Sequence, residues 1–75
     1  MKIDQEIHKM KLLVSEAIKQ ALCAKSISQA KAVDLVGINR PDLNQIINRH
    51  VERHSLQKLI FVAHKLDCSF ELVSN

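Results

Sequence analysis

The only glycine and the only proline of this chain, Gly37 and Pro41, lie four residues apart near its middle. Glycine ends a helix well because it readily adopts the left-handed backbone conformation, and proline is favoured in the first turn of a helix. One helix that stops at Gly37 and another that starts beside Pro41 leave only a very short connection. Two helices joined so closely must cross steeply, which predicts a helix-turn-helix.

The residues before Gly37 have the pattern of a short amphipathic helix over 28–36. Ser28 is a suitable N-cap because its hydroxyl can accept from the unpaired backbone N–H groups of the first turn. Ala32, Val33 and Val36 then recur at helical spacing and are expected to face inward. Ile38, after the glycine, is expected to be a buried apolar residue of the turn.

The residues after Gly37 predict a second short helix that Asn39 caps. Its first turn is residues 40–42, where Pro41 removes no intrahelical hydrogen bond. Leu43, Ile46 and Ile47 form its inward face. The helix-turn-helix core is therefore predicted to cover residues 28–48.

A longer helix is predicted ahead of this core, over residues 4–25, with Asp4 as its N-cap. Its apolar residues at helical spacing are Ile7, Met10, Val14, Ala17, Ile18, Ala21 and Leu22. Leu12 and Leu13 widen the apolar stripe beyond one face. A second surface of this helix is thus expected to be covered, with a partner protein as one candidate.

A fourth helix is predicted after the core, with Ser55 as its N-cap. Its expected buried residues are Leu56, Leu59, Ile60, Ala63 and Leu66. The polar segment 48–54 is interpreted as a loop. The alternating residues 68–73 are a candidate short C-terminal strand, and the fold class is therefore all-α with about four helices and this added strand.

The composition fits one small domain over residues 1–75. The chain is 47% hydrophobic but only 3% aromatic, so its core must be aliphatic, and a core of this size is marginal without a partner. The formal net charge of +3 is compatible with nucleic-acid binding. A homodimer is the expected assembly.

The cysteines and the N-terminus favour a reducing, cytoplasmic setting. Cys23 and Cys68 are too few and too far apart in sequence for a disulfide scaffold, and Cys23 is interpreted as a small apolar residue at an apolar position of the first helix. The first residues lack the apolar core of a signal peptide, and no stretch has the length of a membrane span. We therefore expect no membrane partner.

The segment "SISQAKAVDLVGINRPDLNQIINR" resembles the helix-turn-helix of the Cro and lambda-repressor class, the XRE family. The resemblance extends over about positions 27 to 72. Within the family, the segment is similar in particular to HigA-type antitoxins and their stand-alone regulator relatives. Its markers, in matching register, are Gln29, Ala32, Gly37, Ile38, Pro41, Leu43, Ile46, Ser55 and Leu56. The set is more specific for the fold than for the antitoxin role.

The resemblance implies that the helix after Gly37 lies in the major groove of double-stranded DNA. The DNA contacts that it implies are Gln29, Lys31, Asn39, Arg40, Pro41, Asn44, Gln45, Asn48, Arg49 and Arg53. Arginine can donate twice to guanine, and Asn or Gln can pair with adenine. Gln29 matches a phosphate-binding position, and Lys31, Arg49 and Arg53 are candidates for the backbone clamp. A plain solvated face is the alternative for these polar residues.

Three positions depart from the family pattern. Val33 stands where relatives usually have Ala, at the closest approach of the two helices. Relatives often carry Arg where this chain has Asp42, and Gln where it has Arg40. An acidic side chain directed at phosphates would oppose binding. We expect Asp42 to turn toward the N–H groups of its own helix instead.

The sequence gives little support for metal binding or catalysis. His50 and His54 have the spacing of two ligands on one helix face, but they fall in the predicted loop, and the zincin motif lacks its Glu. No phosphate-binding glycine loop, nucleophile–base pair or catalytic carboxylate pair occurs. We predict no enzyme activity, no metal and no cofactor.

Three functions stay open. The first is a repressor that binds a palindromic operator, including an antitoxin that represses its own operon. The second is a stand-alone, phage-type regulator. The third is a protein-interaction module that binds a toxin protein, with DNA contact secondary. For the dimer, the predicted strand could pair with its twin in a second copy, or Phe70 could fold back onto the first helix.

Overall fold

A computed structural model describes residues 2–68 of the chain. It contains α1 (Lys2–Ala24), α2 (Gln29–Val36), α3 (Arg40–Ile47) and α4 (Leu56–Lys65). The prediction of an all-α fold with four helices is confirmed. Cys68 has no regular structure, and the rest of the predicted C-terminal strand lies outside the described residues. Each helix within residues 2–68 is too short or too polar to cross a lipid bilayer.

All four helices, and the loop before α4, contribute to one aliphatic core. α1 packs most extensively on α4 and also contacts α3, while α2 contacts both α3 and α4. The buried residues are Val14, Ile18, Leu22, Ala32, Val36, Leu43, Ile46, Val51, Leu59, Val62, Ala63 and Leu66. Ile38 of the turn packs against this core, as predicted, but it is half-buried and not fully buried.

The three predicted N-caps of the short helices are confirmed. The side-chain oxygens of Ser28, Asn39 and Ser55 each accept the backbone N–H three residues later, at 3.1, 2.8 and 3.0 Å. Each cap satisfies a donor that the helix itself leaves unpaired and stabilises the fold by about 1 kcal/mol. The starts of α2, α3 and α4 are therefore fixed by local chemistry.

All four helices end in a left-handed residue, and only one of these is glycine. Gly37 ends α2 with φ 82°, as predicted, whereas Ser26, Arg49 and Asp67 adopt φ 54°, 68° and 59° after α1, α3 and α4. After each of the latter three, the next backbone N–H donates to the carbonyl five residues earlier, at 2.8 to 2.9 Å. This is the hydrogen bond of the Schellman motif.

Two predictions on α1 are wrong. The helix begins at Lys2, so Asp4 lies inside its first turn and is not the N-cap. Cys23 is exposed and not a core residue. Each residue of a helix is rotated by about 100° from the one before it, so Cys23 turns away from the core that Leu22 enters.

The buried face of α4 is rotated relative to its prediction. Ile60 is 37% exposed, while Val62, which was not predicted to be inside, is fully buried. Leu59, Ala63 and Leu66 are buried as expected. The apolar residues of α4 extend around more than one face, so the contact with α1 determines which of them are covered.

A buried hydroxyl joins α1 to the end of α3. Ser15 is fully buried, and its Oγ donates to the backbone carbonyl of Ile46. Because buried polar groups are costly without a partner, this bond accounts for a serine inside an aliphatic core. It also fixes α3 against the longest helix of the fold.

Candidate nucleic-acid interface

α3 has one face in the core and an opposite face directed outward. Leu43 and Ile46 are fully buried, and Ile47 is half-buried, so the predicted inward face is correct. The predicted DNA-contacting residues of α3 and its C-cap are on the other side or at its flanks. Arg40, Pro41, Asn44 and Asn48 are exposed, and Gln45 is half-buried.

Several of the amides on this outward side already have hydrogen-bond partners within the protein. Asn48 donates through Nδ2 to the backbone carbonyl of Asn44 at 2.8 Å and to its Oδ1 at 3.3 Å. The Oδ1 of Asn39 caps α3. An amide has two donors and two acceptor lone pairs, so these side chains retain some hydrogen-bonding capacity toward a ligand.

Gln45 is held by a histidine that precedes α4. The Nε2 of His54 lies 2.9 Å from the Oε1 of Gln45, and the His54 side chain is only 4% exposed. Burial lowers the pKa of His54 below its usual value, and the positive charges of Lys58 and Lys11 act in the same direction against a weaker, opposite effect of Asp42. His54 is therefore neutral at physiological pH.

The position of Asp42 differs from its prediction. Its carboxylate does not turn to the N–H groups of α3 but accepts from the Nζ of Lys58 in α4, at 3.0 Å. The backbone N–H of Asp42 is already bonded to Asn39, which leaves Lys58 as the available partner. The hydrogen bond from Lys58 lowers the pKa of the Asp42 carboxyl. The negative charge beside α3 is thus locally balanced.

The predicted backbone-clamp residues lie around α3 at exposed positions, apart from a half-buried Gln29 at the start of α2. Lys31 and Arg53 are exposed. Arg49 makes an ion pair of 3.7 Å with Glu16, in which both side chains are open to solvent. Ion pairs of this kind contribute only about 0–1 kcal/mol, so Arg49 can exchange its partner for a phosphate at little cost.

A cleft of about 290 Å³ lies at the C-terminal end of α3, lined by Gln45, His50, Glu52 and Arg53. His50 and His54 do not share a helix face, because the segment between α3 and α4 is a loop. Within residues 2–68, no three His, Cys, Asp or Glu side chains are grouped as metal ligands. The polar groups at this end of α3 are suited to hydrogen bonding and charge contact.

Sequence reasoning missed His54 and Lys58 as part of this surface. His54 contacts a residue nine positions earlier, and Lys58 contacts one sixteen positions earlier. Neither separation belongs to the repeat of a single helix. Only the weak signal of a histidine next to the Ser55 cap was present in the sequence.

Comparisons with known proteins agree with this geometry. A family model described as a helix-turn-helix domain matches residues 1–75. A solved structure whose name assigns it to the XRE family of transcriptional regulators superposes with a TM-score of 0.82 at 29% sequence identity, covering 96% of this chain and 81% of that one. No curated protein matches. The chain contains a helix-turn-helix in which α3 has an outward polar face. It belongs to the XRE-type helix-turn-helix family of DNA-binding transcriptional regulators.

Proposed function

We propose that the chain is a sequence-specific repressor, acting as one domain over residues 1–75, whose α3 enters the major groove of its operator. The observation that carries this proposal is the division of α3 between a fully buried apolar face and an outward face of Arg, Pro and amide side chains. Such side chains match the donor and acceptor groups of base edges. The net charge of +3 favours approach to the phosphate backbone.

The candidate residues divide by position into two roles. Arg40, Pro41, Asn44, Gln45 and Asn48 are proposed to face base edges, with Asn39 beside them at the helix start. In the other role, Gln29, Lys31, Arg49 and Arg53 hold the DNA backbone without reading its sequence. Arg40 is proposed as the main base-reading residue, since it is exposed at the first residue of α3.

A homodimer on a palindrome is the proposed assembly. One helix-turn-helix reads only a few base pairs, and two copies on half-sites about one helical turn apart supply useful specificity. Several apolar side chains remain exposed within residues 2–68, including Leu13 at 61%. A second copy of the chain that covered them would bury more apolar surface, which supports a dimer. The C-terminal residues 69–75 are the proposed contact.

Binding to the promoter of the chain's own gene tests the repressor proposal. We expect a gel shift that weakens steeply as salt increases, with a random duplex of equal length bound much more weakly. Equal affinity for both duplexes at every salt concentration would contradict sequence-specific recognition.

Arg40→Ala and Lys31→Ala form a matched pair for the two proposed roles. Arg40→Ala is expected to cost about 1–3 kcal/mol on the specific site and to relax base preference there. Lys31→Ala should weaken specific and random DNA alike and reduce the salt slope by about one. Equal losses for Arg40→Ala on specific and random DNA would show that Arg40 does not read bases.

An antitoxin is the second candidate function. The observation that favours it is a surface groove of about 350 Å³ on α1, lined by Leu12, Leu13, Glu16, Lys9 and the nearby Arg49. A toxin protein bound there would cover the exposed Leu13. A small basic, ribonuclease-like reading frame next to the gene, and co-purification of its product with wild type but not with Leu13→Asp, would support this role over a stand-alone regulator.

A further inference from the structure

The loop between α3 and α4 holds its last histidine rigidly beside the recognition surface. His54 is 4% exposed, and its backbone N–H donates to the carbonyl of Val51 at 3.1 Å. Val51 is itself fully buried and anchors this turn in the core. The imidazole is thus fixed on the inner side of Gln45, 2.9 Å from the Oε1 atom.

The surroundings of His54 determine its protonation. A nitrogen that bonds a carbonyl oxygen must carry a hydrogen, so Nε2–H donates to Gln45. The other nitrogen, Nδ1, is buried and has no hydrogen-bond partner among the described residues. An additional proton on Nδ1 would be a buried donor without an acceptor, and it would place a third positive charge near those of Lys58 and Lys11. The neutral tautomer with Nε2–H is therefore the one that fits.

This contact limits what Gln45 can present to DNA. Glutamine recognises adenine by two bonds at once, because its oxygen accepts from N6 while its amide group donates to N7. In this protein the Gln45 oxygen is bonded to the buried His54, while the Gln45 N–H₂ group has no hydrogen-bond partner among the described residues and is not fully buried. Guanine offers two adjacent acceptors, N7 and O6, to such a donor.

We propose that His54 is a positioning residue that makes Gln45 a hydrogen-bond donor toward DNA, so that Gln45 selects guanine over adenine. The inference rests on the proposed function, because it takes α3 to lie in the major groove. It concerns one base pair in each half-site. His54 itself, being buried, does not touch the DNA.

The test uses the full chain and a library of random duplexes. Gln45→Ala identifies the base pair that Gln45 reads, as the position where selection becomes indifferent. At that position we expect the wild type to prefer guanine over adenine by about fivefold to a hundredfold. His54→Leu should lower this ratio or reverse it toward adenine, without changing preference at the other positions. His54→Gln, which retains an N–H donor, should restore the guanine preference.

A second measurement needs no variant and so does not depend on whether a substituted core folds. The ¹⁵N chemical shifts of the His54 ring in the free protein are expected to show a protonated Nε2 and an unprotonated Nδ1 near pH 7. Any one of three results would overturn the inference. These are the opposite tautomer, a wild-type preference for adenine at the Gln45 position, and an unchanged guanine preference in a folded His54→Leu protein. Those outcomes leave specific DNA binding intact, whereas a wild type that selects no sequence contradicts the proposed function itself.

Discussion

A neutral buried histidine makes the stability of this protein depend on pH. The pKa of His54 in the folded state lies below its usual value of 6.5 because the ring is buried near two lysines. In the unfolded chain the same ring takes up a proton near its usual pKa. The unfolded state therefore binds more protons as the pH falls, and the fold is stabilised by high pH.

We expect the free energy of unfolding to decrease as the pH falls from about 7.5 to about 5.5, and the His54 contribution to level off once the pH is below its folded pKa. Urea unfolding at a series of pH values measures this. His54→Gln should reduce the slope, while His50→Gln, at an exposed loop position, should retain it. An identical slope in wild type and His54→Gln would contradict the assignment.

The buried Ser15 hydroxyl is expected to contribute to the stability of the fold through its hydrogen bond. Ser15→Ala removes the donor to the Ile46 carbonyl and is expected to lower the free energy of unfolding by about 1 kcal/mol. A larger loss is not expected, because that carbonyl also accepts the backbone N–H of Arg49 at 3.2 Å. Cys23→Ala, at an exposed position of the same helix, is the control and should change stability by less than about 0.5 kcal/mol.

At the scale of the helices, each of the four helices ends in a left-handed residue, and only one of these four residues is glycine. A residue with a Cβ atom is strained in this conformation by roughly 1–2 kcal/mol, although Asp and Asn tolerate it better than most. Ser26 after α1 and Arg49 after α3 therefore retain local strain that Gly37 avoids. The hydrogen bonds that follow each end, and the packing of the next residue, hold these conformations in place.

Opposite substitutions at two helix ends test this. Ser26→Gly is expected to stabilise the protein by about 0.5–1 kcal/mol, because relief of strain exceeds the added flexibility of the unfolded chain. Gly37→Ala should destabilise it by about 1–2 kcal/mol through backbone strain alone, since an added Cβ would meet no atom within 4 Å. Urea midpoints of the two variants decide the matter. Loss of stability in Ser26→Gly would show that the serine side chain has another role.

At the scale of the whole molecule, the compact core leaves apolar side chains exposed on α1, α2 and α4. Ile3 and Leu13 of α1 are 63% and 61% exposed, and Phe61 of α4 is 49% exposed beneath the ammonium group of Lys65. Residues 14–66 contain the entire described core. A partner chain that covered part of this surface would add burial that the small domain lacks.

Removal of residues 69–75 tests the proposed dimer contact. Because the described core lies before residue 69, the shortened chain should retain its helices, which circular dichroism checks. We expect it to sediment as a monomer and to lose binding to the full palindrome while weak half-site binding survives. Leu13→Asp in the full chain is the companion variant. A shortened protein that remains a dimer, together with a monomeric Leu13→Asp, would place the contact on α1.

Local chemistry in the chain is enough to determine the helix-turn-helix. Ser28, Asn39 and Ser55 act on backbone groups three residues away, and Gly37 and Pro41 act through their own backbone conformations. Such effects depend little on the rest of the molecule, so the starts of three helices and the end of α2 were predicted correctly. The outward direction of α3 follows from the same short-range periodicity.

Tertiary packing decided the long-range side-chain contacts and the buried face of α4. The contacts of His54 with Gln45, Lys58 with Asp42 and Ser15 with Ile46 join residues nine, sixteen and thirty-one positions apart. No helical period relates such pairs, because they meet only where separate segments of the chain are brought together by the core. The same cause explains why Ile60 is exposed and Val62 is buried in α4: a helix with surplus apolar residues has more than one possible inward face, and its neighbours select the one that fills their space.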